Sequence, residues 1–179
     1  LKKMAPIRQE IPHRTVLNLL GPLINPLHVK KQLVGVFDGK IAKTVAHVLK
    51  KLGADSAIVV SSQDGFDEFS LTDINHVAWL KEGRIKSFDF DPRDSGYAFC
   101  SATDLRGGSA NENAARLKKT LKGHSEPLDH MVHINAAWAL VAAGKVEKFM
   151  DGLLLAQDSI SSGRAYEKLE ALIEESHGK

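Results

Sequence analysis

The sequence predicts an α/β fold: a mostly parallel sheet with flanking helices, laid down as a βαβ unit, then a hairpin, then C-terminal helices. Three observations predict it. Two short apolar runs, Gln32-Leu33-Val34-Gly35-Val36-Phe37 and Ser56-Ala57-Ile58-Val59-Val60, bracket a stretch with helical periodicity. Two further runs flank the turn signal Lys81-Glu82-Gly83. Beyond Asn111 the pattern is helical almost throughout, punctuated by Gly123, Gly144 and Gly163 as helix stops.

Taken in order, Leu1 to Glu10 carries Met4 and Ile7 among polar residues and is weakly helical, with Pro6 limiting it. Arg14 to Leu20 reads as a short buried helix. Gly21-Pro22 and Asn25-Pro26 then force turns and extended backbone, so the chain crosses irregularly to the first strand. From Lys40 to Leu52, apolar residues at Ile41, Val45, Val48, Leu49 and Leu52 line one helix face, and Gly53 stops it. Strand, helix and strand with short links imply a parallel pair joined by a right-handed crossover.

The hairpin arms are His76 to Leu80 and Arg84 to Phe90, the second with alternating apolar residues. Asp91-Pro92-Arg93-Asp94-Ser95-Gly96 breaks the chain. Helices are expected at about 111–121, 128–143, 146–161 and 166–175. Ile134 to Ala143, within the second of these, is apolar almost all round and therefore expected to be buried. An amide inside such a helix needs partners, so Asn135 is expected to satisfy a backbone group in the core.

The 179 residues suffice for one compact domain with a real core. Lys and Arg number 24 against 22 Asp and Glu, so no long-range basic field draws the chain onto nucleic acid or an anionic membrane. Cys100 is the only cysteine, which rules out an intrachain disulfide and suits a reducing, cytoplasmic setting. No apolar run approaches the roughly twenty residues of a membrane span.

Asp67-Glu68, within Gly65-Phe66-Asp67-Glu68-Phe69-Ser70, carries the chemistry. A buried strand ending near Val60 opens through Ser61-Ser62-Gln63-Asp64-Gly65 into two adjacent acids. That places negative charge at the carboxyl end of a sheet, where open α/β sheets bind ligands. Hard oxygen donors there suit Mg²⁺, usually held by one or two carboxylates and the phosphates of a substrate. Two acids in a row are also common on any solvated turn. His130 and His133 stand three apart on a helix without a third ligand nearby, and Cys100 has no His and acid pair to activate it, so neither is assigned a chemical role.

These stretches, with Arg14 to Pro26, Asp91 to Gly96, Gly107-Gly108, Glu112-Asn113-Ala114, Asn135-Ala136-Ala137 and Asp158 to Ala165, together resemble the anthranilate phosphoribosyltransferase family in order and spacing along nearly the whole chain. The resemblance implies a nucleoside phosphorylase/phosphoribosyltransferase-like C-terminal domain. It also implies transfer of phosphoribosyl from phosphoribosyl pyrophosphate to anthranilate in tryptophan biosynthesis. Asp67 and Glu68 match the acid pair that ligates two Mg²⁺ ions on the pyrophosphate. Arg8 matches the arginine that contacts the anthranilate carboxylate, a task suited to a planar guanidinium fork. Pro22 matches an apolar wall beside the anthranilate ring. No side chain matches a protein nucleophile, so no catalytic residue is assigned.

The family's glycine-rich phosphate loop and its small helical, dimer-forming domain have no counterpart in these residues. Gly107-Gly108 lacks the strand-then-helix context of a phosphate cradle. The expectation is therefore one α/β domain over residues 1–179 that is a piece of a longer, homodimeric enzyme, inactive by itself. A pyrimidine nucleoside phosphorylase-like enzyme and a non-catalytic nucleic-acid-binding relative of the same fold are the alternatives.

Overall fold

Four strands form one sheet in the order β1-β2-β3-β4: β1 (Lys31–Gly35), β2 (Ser56–Ser62), β3 (Asn75–Lys81) and β4 (Arg84–Phe90). The computed structural model describes residues 11, 13, 15–124 and 127–177. β1 and β2 run parallel, while β2/β3 and β3/β4 are antiparallel. The sheet among the described strands is therefore mixed, and the expected parallel character is confined to the βαβ unit. The reason is connection length. The two-residue turn Glu82-Gly83, with φ of 51° and 72°, leaves β4 no choice but to return antiparallel beside β3.

The helices are α1 (Leu20–Leu23), α2 (Gly39–Lys51), α3 (Ala102–Leu105), α4 (Ala110–Thr120), α5 (Leu128–Ala142), α6 (Phe149–Ser161) and α7 (Arg164–His177). None of the described helices is long and apolar enough to cross a membrane. Asp38 caps α2 by accepting a hydrogen bond from the Lys40 amide at 2.9 Å. Gly53, Gly123, Gly144 and Gly163 all take positive φ where helices end, as their positions predict.

The continuous apolar run of β2 has a simple cause: both of its faces are covered. Ala57 and Val59 pack with Val34, Val36 and the buried α2 residues Ala42, Val45, Ala46 and Leu49. Ile58 and Val60 face the other way, against Phe69, Leu71, Val77 and the α5 residues Met131, Ile134 and Trp138. A three-layer helix–sheet–helix sandwich results. Trp138 is its aromatic centre, stacked on Phe69 at 5.3 Å between centroids and edge-on to Phe90 at 5.4 Å. α6 crosses α5 at Gly152, where a side chain would meet the Ala137 carbonyl oxygen at 2.8 Å.

Of the helix expected from Arg14 to Leu20, the described part from Thr15 on departs from expectation. It is a single 3₁₀ turn, Val16–Asn18, followed by the one-turn helix α1, and neither holds a buried residue. Thr15 and Asn18 cap each other, with the Thr15 amide donating to Asn18 Oδ1 at 2.9 Å, which closes the first turn early. Pro22 and Pro26 then prevent a longer helix from forming. Arg14 itself, and the weak helix expected over 1–10, lie outside the described residues.

Candidate functional site

The acid pair sits on a loop that leaves the carboxyl end of β2 and returns into β3. Ser62 starts it: the Ser62 amide donates to the Phe66 carbonyl at 2.9 Å and the Gly65 amide donates to the Ser62 carbonyl at 2.9 Å. This tight reversal holds Gly65 at φ 94°, a conformation that favours glycine. Asp64 ties the two ends of the loop together. Its carboxylate accepts from Ser62 Oγ at 2.6 Å and from the Thr72 hydroxyl, which also contacts Ser70 Oγ at 2.6 Å.

Two buried or half-buried amides grip the loop beyond the acids. Asn75 Oδ1 accepts from the Ser70 amide at 2.8 Å and Asn75 Nδ2 donates to the Ser70 carbonyl at 3.0 Å. Asn135, from α5, does the same to Phe69: its Oδ1 accepts from the Phe69 amide at 3.1 Å and its Nδ2 donates to the Phe69 carbonyl at 2.7 Å. The expected role of Asn135, satisfying a backbone group in the core, is thus met on a residue next to Glu68. On the other side, the backbone of Asp67 lies directly over Gly35 at the end of β1.

Asp67 and Glu68 are both exposed, and among the described residues neither has a hydrogen bond or an ion pair. Glu68 also lines an open cavity of about 460 Å³ together with Leu33, Phe66, Leu105, Met131 and Asn135. This apolar neighbourhood pushes the Glu68 carboxyl above its ordinary range, and the negative charge of Asp67 adds to the rise. Two adjacent carboxylates, with no ion pair to a cationic side chain among the described residues, are matched to a divalent cation. Among the described residues no third His, Cys, Asp or Glu joins them. A cation held here would complete its shell with water or ligand oxygens, which is how Mg²⁺ is usually bound.

A larger open groove, about 860 Å³, lies on the other side of the same loop and is lined by Asp38, Lys40, Lys43, Asp64, His76 and Asp89. Its charges are mixed, and two of them pair with each other, His76 Nδ1 lying 2.6 Å from Asp89 Oδ1. Size alone does not make it the better site, because neither acid of the unpaired pair borders it.

Residues 1–166 match the family described as glycosyl transferase family, a/b domain. The chain belongs to that family. Within it, the chain is 42% identical over 173 residues to an anthranilate phosphoribosyltransferase from a Bradyrhizobium strain, covering 97% of this chain and 51% of that protein. Its fold is similar to the crystal structure of anthranilate phosphoribosyltransferase from Thermus thermophilus, with a TM-score of 0.85, 36% identity, and coverage of 95% of this chain and 50% of that one. It is also similar to the Saccharomyces cerevisiae enzyme in complex with PRPP and Mg, with a TM-score of 0.81, 25% identity, and coverage of 93% and 48%. The chain thus spans about half the length of the relatives it matches.

The other sequence-derived site residues of this glycosyl transferase chain fare differently. Arg8 lies outside the described residues. Pro22 is half-buried and borders a separate cavity of about 160 Å³ with Leu23, Val29, Leu49 and Leu52, one that neither Asp67 nor Glu68 touches. Pro22 and the acid pair are therefore not brought into one cavity.

Gly107-Gly108 is no phosphate cradle in this structure. Asn113 Oδ1 accepts from the Gly108 amide at 2.8 Å, and the Glu112 carboxylate accepts from the Ser109 amide at 2.7 Å and its hydroxyl at 2.6 Å. The Gly108 donor is thus taken by a carboxamide and the positive end of α4 by a carboxylate. Cys100 is half-buried, with its thiol pushed above the ordinary range by burial, so it is not a ready nucleophile. What the acid-pair motif alone does not reveal is its backing by Gly35 and by Asp64 with Thr72. A glycine inside an otherwise apolar strand is the available signal for the first.

Proposed function

We propose that this chain carries the cation-binding part of a phosphoribosyltransferase that joins phosphoribosyl pyrophosphate to anthranilate. The observation that supports it best is the pair Asp67 and Glu68, without an ion pair among the described residues, on a clamped loop at the carboxyl end of the parallel strands, in a chain whose relatives bear that activity in their names. The enzyme to which the chain belongs is proposed to be cytoplasmic and homodimeric, as the resemblance implies.

Asp67 and Glu68 hold the Mg²⁺, two ions by the resemblance. When bound, the metal supplies neutralisation of the charge that grows on departing pyrophosphate. The remaining work is positional. The carboxylates set where the pyrophosphate end of the donor rests, and the clamped loop keeps that position constant. Arg8 is proposed to hold the anthranilate carboxylate through two parallel hydrogen bonds, and Pro22 to give the ring an apolar wall. No side chain is asked to attack the ribose, because the amine of anthranilate is itself the nucleophile.

The test is Asp67→Asn with Glu68→Gln in the full-length gene product. Mg²⁺-dependent phosphoribosyl transfer and Mn²⁺ binding are expected to be lost, while the far-ultraviolet circular dichroism stays unchanged. Turnover at the parent level in that double variant would remove the assignment.

A further inference from the structure

α5 is apolar nearly all round, yet at the point where it passes the acid-pair loop it carries an amide. Asn135 makes three hydrogen bonds there. Its Nδ2 donates to the Phe69 carbonyl at 2.7 Å and to the Met131 carbonyl, one helical turn back, at 3.0 Å. Its Oδ1 accepts from the Phe69 amide at 3.1 Å. Because two carbonyls converge on one end of the carboxamide, the nitrogen and oxygen ends are assigned unambiguously by their partners.

The bond to the Phe69 amide matters most. That N–H belongs to the peptide plane joining Glu68 to Phe69, so fixing it fixes the backbone torsion that aims Glu68. The bond to the Phe69 carbonyl fixes the next plane, which Asn75 grips as well through the Ser70 amide, and Asn75 fixes the plane after that through the Ser70 carbonyl. Three consecutive peptide planes downstream of Glu68 are thereby immobilised. The Phe69 ring is held too, stacked at 9° on Trp138, one turn further along α5. Asn135 and Glu68 also border the same cavity. A helix and a loop 66 residues apart in sequence are thus joined at the residue following the acids.

We propose that Asn135 is a positioning residue for the acid pair: its carboxamide holds the Phe69 backbone so that Glu68 presents its carboxylate to a divalent cation at the cavity. The inference rests on the cation reading of Asp67 and Glu68. It goes beyond it by assigning the site's geometry to a residue that touches neither cation nor substrate. Partners that orient ligating groups typically change metal affinity by about 10–100-fold when removed.

The test is Mn²⁺ binding in the presence of inorganic pyrophosphate, followed by electron paramagnetic resonance on the full-length gene product. Asn135→Ala is expected to weaken binding about tenfold or more. Asn135→Leu, which keeps the side-chain volume and removes all three hydrogen bonds, is expected to do the same and serves if the alanine variant does not fold. Val141→Ala, a buried change further along the same helix at a side chain that makes no hydrogen bond to the loop, controls for lost stability and is expected to bind within about twofold of the parent. Parent-like binding by a folded Asn135 variant, or equal weakening by Val141→Ala, would overturn the inference. Parent-like binding by Asp67→Asn/Glu68→Gln would instead overturn the cation reading beneath it.

Discussion

Gly35 and Asp67 meet backbone to backbone. A methyl group on Gly35 would lie 1.4 Å from the Asp67 carbonyl oxygen and 2.4 Å from its carbonyl carbon. The end of β1 is therefore the floor on which the acid-pair loop rests, and only hydrogen fits between them. Gly35→Ala is expected to push the loop away, costing about 1–3 kcal/mol of stability by overpacking. Urea unfolding reads the stability loss, and Mn²⁺ titration is expected to register weaker binding. A variant as stable as the parent would mean the loop yields freely.

The charge of Asp67 bears on the Glu68 proton. Although Glu68 is exposed, partial desolvation against the apolar cavity wall raises its carboxyl above the ordinary range and the Asp67 charge raises it further, desolvation being the larger cause. Asp67→Asn is expected to lower the Glu68 titration point while leaving it above the ordinary value. Carboxyl-carbon NMR in divalent-free buffer checks this, and no shift on substitution would show that the two carboxylates do not sense one another.

A second polar cluster, with one titrating imidazole, lies on α5. Gln157 donates to the Tyr97 hydroxyl at 2.7 Å, and that hydroxyl lies 3.0 Å from His133 Nδ1. His133 Nε2 is buried without a partner among the described residues. Burial, then the neighbouring His130, push the His133 imidazole below its ordinary value, with Asp129 pulling the other way. The sign follows from which state binds more protons. Between the depressed native value and the unfolded value of about 6.5, the unfolded chain holds the extra proton. The stabilising contribution is thus complete above about pH 6.5 and is lost as pH falls through the native value. Thermal melts from pH 7.5 to 5 are expected to show falling stability, with a shallower fall in His133→Phe.

Trp138 holds the far layer together. It packs on Phe69, Phe88, Phe90 and Phe149 with centroids between 5.0 and 5.8 Å. Trp138→Ala is expected to cost about 3–5 kcal/mol. Since Phe69 would lose its stacking partner, the loop should loosen as well, and hydrogen exchange at the Phe69 and Ser70 amides is the measurement.

Arg8→Ala in the full-length gene product tests the proposed carboxylate clamp. The apparent requirement for anthranilate is expected to rise more than that for phosphoribosyl pyrophosphate, by an amount equivalent to about 2–5 kcal/mol at most. Equal effects on both substrates in steady-state kinetics would count against the clamp.

Periodicity and punctuation in the chain account for the βαβ unit, the Glu82-Gly83 hairpin, the buried α5 and every glycine-stopped helix, because those features depend on residues a few positions apart. The acid pair, too, stands out locally, two carboxylates following a buried strand. Local pattern misleads at Arg14 to Leu20, where apolar composition suggests a buried helix but a Thr15–Asn18 cap and two prolines leave a half-exposed turn. What local pattern cannot contain is the pairing of Gly35 with Asp67 or of Asn135 with Phe69. Those contacts join segments separated by 32 and 66 positions and exist only once β1 and α5 have packed against the loop. Which side chains surround a carboxylate, and so how strongly it holds its proton, is likewise settled by packing, since solvent removal and neighbouring charge are properties of space and not of sequence order.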